Sequence, residues 1–354
     1  MDSLTQAVLG ASITGVMLGR FHGRKAVIAG AILATLPDLD VIIQYADPIS
    51  SMTYHRGFSH SIIVLSVVSL FFTAFWRAIK PDKRYGATWL FLAIWLALVT
   101  HPLLDAFTTF GTQLWWPFTP TPASWASIFI IDLVYTVPLS IGAFGALIAG
   151  VGPRTQKLLS WGLILSTVYL AATVGAKFWA EHKAQAQFQR LGVPTADIYS
   201  TPTPFNSLMW RVMSRDNEQQ CETIISLLDS SNTANESVCL GHNHYLLQAV
   251  PESLQIDRLR WFTGDWVRFD EKDDLLIMTD VRLGATIGLH SFRFVVAEKN
   301  QHGQWEIITP YRWPEKIDLT LLKPILKRIY QQQPPLPLQD WVTAADMNPI
   351  SSAP

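Results

Sequence analysis

Three stretches carry the residues that can do chemistry: LPDLD (Leu36–Asp40), HRGFSHS (His55–Ser61) and HPLLDAFTTFGTQLWWPF, which starts at His101. His101 and Asp105 are four positions apart, so on a helix they stand one turn above each other, where an imidazole and a carboxylate can grip one cation. Pro102 either starts a new helix with His101 near its N-cap or kinks a longer one, and both geometries keep the pair adjacent. An ordinary helix-terminal histidine paired with a carboxylate would look the same. In an apolar helix the functional reading gains weight, because an ionisable group at membrane depth costs ~2.5–3.5 kcal/mol on insertion scales. Asp38 and Asp40 are two apart and converge only if Pro37 has ended a helix and the chain turns there. His55 and His60 are five apart and cannot share a helical face, but Gly57 permits a turn that brings them round. Arg56 lies between them, placed either to hold an anionic group such as a phosphate or to pair with a carboxylate.

Asp38, Asp40, His55, His60, His101 and Asp105 together form a ligand set for zinc or a similar divalent ion, enough for one ion or for two sharing a carboxylate. Such an ion makes hydroxide available at neutral pH, which is hydrolytic chemistry. In that scheme Asp40 is the candidate general base and Arg56 the anion-binding residue. There is no GxSxG motif and no cysteine near these histidines, so nothing points to acyl-enzyme chemistry.

Positioning these residues falls to strongly apolar elements. The chain has 354 residues, 49% hydrophobic against 16% charged, with 14 tryptophans, a composition that points to a membrane protein. The net charge of −1 gives no case for a nucleic-acid partner. Runs of membrane length are expected over Ser61–Ile79, Ala87–His101, Ile128–Ala149 and Leu158–Phe178. Leu4–Gly19 and Ala26–Leu36 are shorter and rich in Gly and Ala, which suits an inner hairpin packed on the others and brings the count to about six helices. Asp2 stands where a signal peptide would carry basic charge, so the first helix is expected to stay.

Arg20, Arg24 and Lys25, then Arg77, Lys80, Lys83 and Arg84, then Arg154 and Lys157 fall in alternate connections, while Pro37–Ser59 and Pro102–Ser127 hold only Arg56. The positive-inside rule makes the first set cytoplasmic and the second outward. Asp2, Asp38, Asp40, His55, His60, His101 and Asp105 then all fall on the outward side, where residues a hundred positions apart can meet. Asp132, in IFIIDLVY, is a further intramembrane carboxylate, read either as an outer residue orienting a histidine or as a helix-packing hydrogen bond.

From about residue 181 the chain turns polar, and HYLLQAV, RLRWFTGDWVRF, LLIMTDV, HSFRFVVAE and QWEIITPYRW read as strands separated by turns such as KDD and NQHG. The expected architecture is an α-helical polytopic membrane domain over 1–180 followed by a soluble, β-rich α+β domain over 181–335. A Pro-rich tail over 336–354 is expected to be extended. Cys221 and Cys239 either pair, if that domain faces an oxidising compartment, or remain free thiols.

MDSLTQAVLGA, LPDLD, HRGFSHS and HPLLDAFTTFGTQLWWPF resemble the YdjM-type inner-membrane proteins, described as membrane-bound metal-dependent hydrolases and thought to be distantly related to zinc-dependent phospholipases C and single-strand nucleases. The resemblance covers about the first 135 residues; TPTPFNSLMWRV and FRFVVAE are similar to phrases of the family's longer members. It implies an inner-membrane location, a divalent metal and a hydrolytic activity. One departure stands out: many relatives begin with a THALLG-like segment, and Gln6 occupies the place of its histidine. Glutamine is a poor zinc ligand, so either Asp2 takes over or one metal position is weak. The expected function is therefore hydrolysis of an anionic phosphoester, lipid or lipid-linked, at the outer bilayer surface. The competing reading is a non-enzymatic membrane protein with a structural metal or polar cluster and an outer binding domain. Ion transport is disfavoured, because the charged residues gather on one side.

Overall fold

The computed structural model describes residues 1–193, 195, 197–230, 236–284, 292–314 and 319–344. The chain divides into two compact units: Met1–Gln44, Tyr54–Trp125 and Ile130–Thr173 form the first, and Tyr45–Thr53, Ala126–Phe129 and Val174–Pro354 the second.

In the first unit, α1 (Ser3–His22) and α2 (Arg24–Thr35) pack as a tight pair. Their closeness depends on two glycines. A Cβ on Gly30 would stand 1.9 Å from Thr14 Oγ1 and 2.2 Å from the Gly10 carbonyl oxygen. Across this seam the Thr14 hydroxyl donates to the Ala26 carbonyl at 2.7 Å, so small residues bring the two backbones within hydrogen-bonding reach. Beyond the short α3 (Pro48–Tyr54), which falls almost wholly in the second unit, come α4 (Ile62–Ile79), α5 (Ala87–Ala106), α6 (Leu133–Ala149) and α7 (Pro153–Arg190). By length and composition α4, α5 and α7 can cross a membrane, with α6 as a shorter apolar helix, so the expected count of about six spans is matched in part.

Apolar side chains are on both the inside and the outside of this unit, with Leu18, Leu90 and Leu98 in its core. Ser12, Thr14, Ser69, Thr73, Thr136 and Ser166 are buried, while Val67, Leu70 and Phe71 of α4, Ile141 and Ile148 of α6 and Trp161, Leu165 and Val168 of α7 are exposed. That is the pattern of helices whose outer faces meet lipid and whose contacts use small and hydroxylated side chains.

Helix ends differ from expectation for local reasons. α5 continues through Pro102 to Ala106, which keeps His101 and Asp105 on one continuous helical face. α6 begins only at Leu133, because the Asp132 carboxylate caps it by accepting from the Val134 and Tyr135 N–H groups. α7 runs for 38 residues, about 57 Å at ~1.5 Å per residue. Its last turns place Ala180, Ala184 and Phe188, four apart, in the core of the second unit with Trp210, Val212, Cys221 and Ile225.

The second unit holds two antiparallel four-stranded meanders: β1 (Asp197–Pro202), β2 (Met209–Arg215), β3 (Gln219–Ser226) and β4 (Ser237–Gly241), then β5 (Val267–Lys272), β6 (Leu275–Asp280), β7 (Arg293–Lys299) and β8 (Trp305–Arg312). Cys221 and Cys239 oppose each other directly in the β3–β4 register and form a disulfide. The second sheet follows the expected strand runs, except that His290 and Ser291 lie outside the described residues. Three expectations need correction. HYLLQAV is a 3₁₀ turn over His244–Ala249, entered through Asn243 at φ 57°. RLRWFT belongs to α8 (Leu254–Thr263), which buries Ile256, Leu259 and Phe262 at helical spacing and stops at Gly264, so the strand starts only at Val267. The Pro-rich end is not simply extended: after α9 (Leu322–Arg328), α10 (Leu338–Ala344) forms, and Leu336, Leu338, Trp341 and Val342 pack against Met209, Ile224 and Leu240.

One pH effect follows from this unit. His242 is buried with neither ring nitrogen in a hydrogen bond of good geometry; burial, then the neighbouring His244 and Arg215, push its pKa down to about 4. An ordinary histidine titrates near 6.5, so between those values the unfolded chain binds a proton that the folded chain refuses. Stability is therefore full above about pH 6.5 and falls as the pH drops toward 4. The melting temperature should decline over that window, and His242→Gln should flatten the decline; equal slopes in both proteins would assign the effect elsewhere.

Candidate metal centre

Local chain geometry builds the centre. α2 stops before Pro37, and Pro37–Ile42 forms a 3₁₀ turn. At about 120° per residue in such a turn, Asp38 and Asp40 point in different directions. In the HRGFSHS turn Arg56 adopts φ 60°, and a Cβ on Gly57 would stand 2.7 Å from the Tyr54 carbonyl oxygen, so the turn needs a glycine there. The turn ends in a 3₁₀ segment, Phe58–His60, and Ser61 caps α4 by accepting from the Val64 N–H. The Gln113 N–H donates to the Arg56 carbonyl at 3.0 Å and ties this turn to the segment following α5.

Asp38, His60, His101 and Asp105 each offer one ligand atom, and these four atoms lie within 4.8 Å of one another. His101 Nε2 is 3.2 Å from both Asp38 Oδ1 and His60 Nε2 and 3.5 Å from Asp105 Oδ2. His60 Nε2 is 3.3 Å from Asp38 Oδ1 and 3.4 Å from Asp105 Oδ2. A tetrahedron with metal–ligand bonds of ~2.0–2.1 Å has edges of about 3.3–3.4 Å, so these five spacings match a single four-coordinate ion, with the Asp38 and Asp105 oxygens within 4.8 Å of each other.

Outer hydrogen bonds fix which imidazole nitrogens face inward. His101 Nδ1 lies 2.5 Å from the Ala34 carbonyl oxygen, which can only accept, so the ring proton sits on Nδ1 and the Nε2 lone pair faces the centre. Ser59 Oγ donates to Asp40 Oδ2 at 2.7 Å and therefore accepts from His60 Nδ1 at 2.9 Å, which again turns the Nε2 lone pair inward. Two imidazole nitrogens facing each other at 3.2 Å need either a proton on one of them or a metal cation between them. Asp105 Oδ2, buried with no hydrogen bond of good geometry although Arg56 Nε stands 3.2 Å away, lies beside both imidazole nitrogens. The donor set fits a divalent metal, and these four residues can hold one.

The other residues singled out from the sequence lie around this group. Asp40 accepts from His55 Nδ1 at 2.9 Å, from the Arg56 N–H at 3.0 Å and from Ser59. Burial alone would raise the Asp40 carboxyl, but the hydrogen bonds from His55 and Ser59 hold it below the ordinary carboxylate range. The His55 ring packs edge-on to Phe110. Arg56 is buried, with Nε 3.2 Å from Asp105 Oδ2 and Nη1 donating to Thr108 Oγ1 at 3.3 Å. Asp2 caps α1 through the Thr5 N–H at 3.0 Å. Asp132, besides capping α6, accepts from the Tyr169 hydroxyl at 2.8 Å and links α6 to α7. Gln6 is fully buried and donates through Nε2 to Asp105 Oδ1 at 3.0 Å and to the His101 carbonyl at 3.2 Å. The Met1 amino group also contacts Asp105 Oδ1. Three supports escaped the sequence reading. Ser59 was visible as the neighbour of His60, whereas the Ala34 carbonyl and Thr108 carry no signal, because backbone acceptors and buried hydroxyls are placed only by the packing.

Residues of this chain align with YfhP of Bacillus subtilis (strain 168), a protein described as uncharacterized, at 30% identity over 139 residues, 37% of this chain and 41% of the relative. They align with the inner membrane protein YbcI of Escherichia coli (strain K12) at 37% identity over 95 residues, 26% of this chain and 52% of the relative. The chain thus spans about half the length or less of these relatives. No solved structure matches it significantly. The profile of the YdjM inner membrane protein family matches residues 1–180, which contain all four residues of the candidate metal centre, and the chain belongs to that family.

Proposed function

We propose that the chain is a membrane-embedded, metal-dependent hydrolase that cleaves an anionic phosphoester, lipid or lipid-linked, at the outer face of the inner membrane. The observation that carries this reading is the inward-facing set of two imidazole nitrogens and two carboxylate oxygens at tetrahedral spacing. Two imidazoles and two carboxylates suit zinc, and four ligands suit one ion rather than two. A divalent ion held there supplies Lewis acidity and hydroxide near neutral pH. The side chains of His60, His101 and Asp105 are 0–1% exposed, whereas that of Asp38 is 26% exposed, so substrate reaches the centre from the Asp38 side. Arg56 stands beside Asp105, where its guanidinium can meet a phosphoryl oxygen. Asp40 acts by positioning: it holds Ser59, and Ser59 holds His60.

The outward orientation follows from the charge pattern of the connections, and the Cys221–Cys239 disulfide suits an oxidising compartment. A periplasm-dependent reporter fused after Glu181 should be active; a reporter functional only in the cytoplasm would reverse the orientation.

A structural ion is the second reading, favoured by the complete four-ligand shell, since catalytic zinc keeps a position open. The two separate on detergent-purified protein loaded with zinc. Turnover of generic phosphodiester or phospholipid substrates, lost in Asp38→Ala, supports the hydrolase. Bound metal with no turnover on any of them supports the structural ion, and absence of any bound divalent metal sinks both.

A further inference from the structure

A second site lies at the other end of the helical unit. A cavity of about 760 Å³ opens between α2 and α4, floored by Leu18 of α1 and by Leu90 and Ile94 of α5. Along most of its depth the walls are apolar, with Ala29, Leu33 and Leu36 on one side and Phe72 and Phe75 on the other. At one end the lining changes to Lys25, Lys80, Asp82 and Arg84, beside Trp76 and Tyr85.

Each of these features has a lipid counterpart. From Lys25 to Leu36 the groove follows α2 and its C-cap over eleven residue steps, about 16 Å at ~1.5 Å per step, which is one leaflet of a ~30 Å hydrocarbon core. Tryptophan and tyrosine mark the headgroup level of a membrane protein, and Trp76 and Tyr85 stand where the groove turns basic. Arg84 grips Asp82 at 2.6 Å, so the net positive charge of the rim comes from Lys25 and Lys80, the latter with Nζ 5.5 Å above the Trp76 ring. Basic pockets between membrane helices recognise anionic headgroups. A soluble apolar ligand would have no use for the basic rim, and a free anion none for the apolar depth.

We infer that this groove binds one anionic glycerophospholipid, an acyl chain running along Ala29, Leu33 and Phe72 and the phosphate resting between Lys25 and Lys80. The site is separate from the metal centre and does not rest on the hydrolase reading; its test uses no turnover.

Native mass spectrometry of the full chain in mild detergent, with phosphatidylglycerol and phosphatidylcholine offered at equal concentration, reads the site directly. The wild type should retain one phosphatidylglycerol in preference. Retention should fall about five-fold for each of Lys25→Gln and Lys80→Gln. Ala29→Trp, which fills the groove and leaves the rim intact, should abolish it. Equal retention of the two lipids by the wild type, or unchanged retention in Ala29→Trp, overturns the inference. Thermal unfolding of the wild type needs no variant: phosphatidylglycerol should raise the melting temperature more than phosphatidylcholine, and equal shifts also overturn it.

Discussion

Replacing His101 with alanine should abolish divalent-metal binding by the purified, zinc-loaded protein. The substitution removes a ligand whose Nε2 lies 3.2–3.5 Å from the three other ligand atoms, and it leaves two buried carboxylate and imidazole partners facing a gap. Loss of an outer hydrogen-bond partner costs roughly 10–100-fold in metal affinity, and loss of a ligand costs more. The two classes should therefore separate. Ser59→Ala and Asp40→Asn, which disturb the chain of contacts behind His60, should bind metal about 10–100-fold more weakly, while His101→Ala should hold none after dialysis. Elemental analysis with competition against a chromophoric chelator measures both. Undiminished stoichiometry in His101→Ala would mean that the ion sits elsewhere.

The second large effect lies at the α1–α2 seam. Gly30→Val places a Cβ where the Thr14 hydroxyl and the Gly10 carbonyl already stand, at 1.9 Å and 2.2 Å, so the helices must part. Overpacking of this kind costs about 3 kcal/mol or more when backbone rather than a flexible side chain has to yield. Separation of the pair also moves Ala34, whose carbonyl fixes the His101 ring. The variant should lose both thermal stability and metal affinity, read by a detergent-compatible melting assay and the same chelator competition. A variant that melts like the wild type would show that the seam is looser than its contacts imply.

Much of this was legible in the sequence, and the gaps have physical causes. His101 and Asp105 could be paired because helical spacing is a local rule, and it held across Pro102. Asp38 and Asp40 could be found but not told apart: a two-residue offset reverses its meaning between a strand, an α-helix and the 3₁₀ turn that forms here, and only the turn sends one carboxylate to the centre and the other to His55 and Ser59. Gln6 drew notice as a substitution for a histidine, but its contact with Asp105 depends on how α1 packs on α5. In the second unit, alternation found the strands of the β5–β8 sheet, whereas RLRWFT satisfied aromatic enrichment and helical spacing at once and was resolved by burial of Ile256, Leu259 and Phe262. Trp341 and Val342 fall in a stretch expected to be a Pro-rich, extended tail, because their binding surface on β2, β3 and β4 comes from residues a hundred positions earlier.

The apolar outer faces of the helical unit set where the sequence is free to drift. Val67, Phe71, Ile141 and Leu165 meet a fluid that accepts any apolar shape, so leucine, valine, isoleucine and phenylalanine should exchange there with little penalty. Gly10, Thr14 and Gly30 meet fixed backbone and tolerate almost nothing. A saturation screen of this unit should thus find permissive positions among the greasy residues of its outer faces and strict ones among its smallest, a combination that a water-soluble domain of the same size would not give.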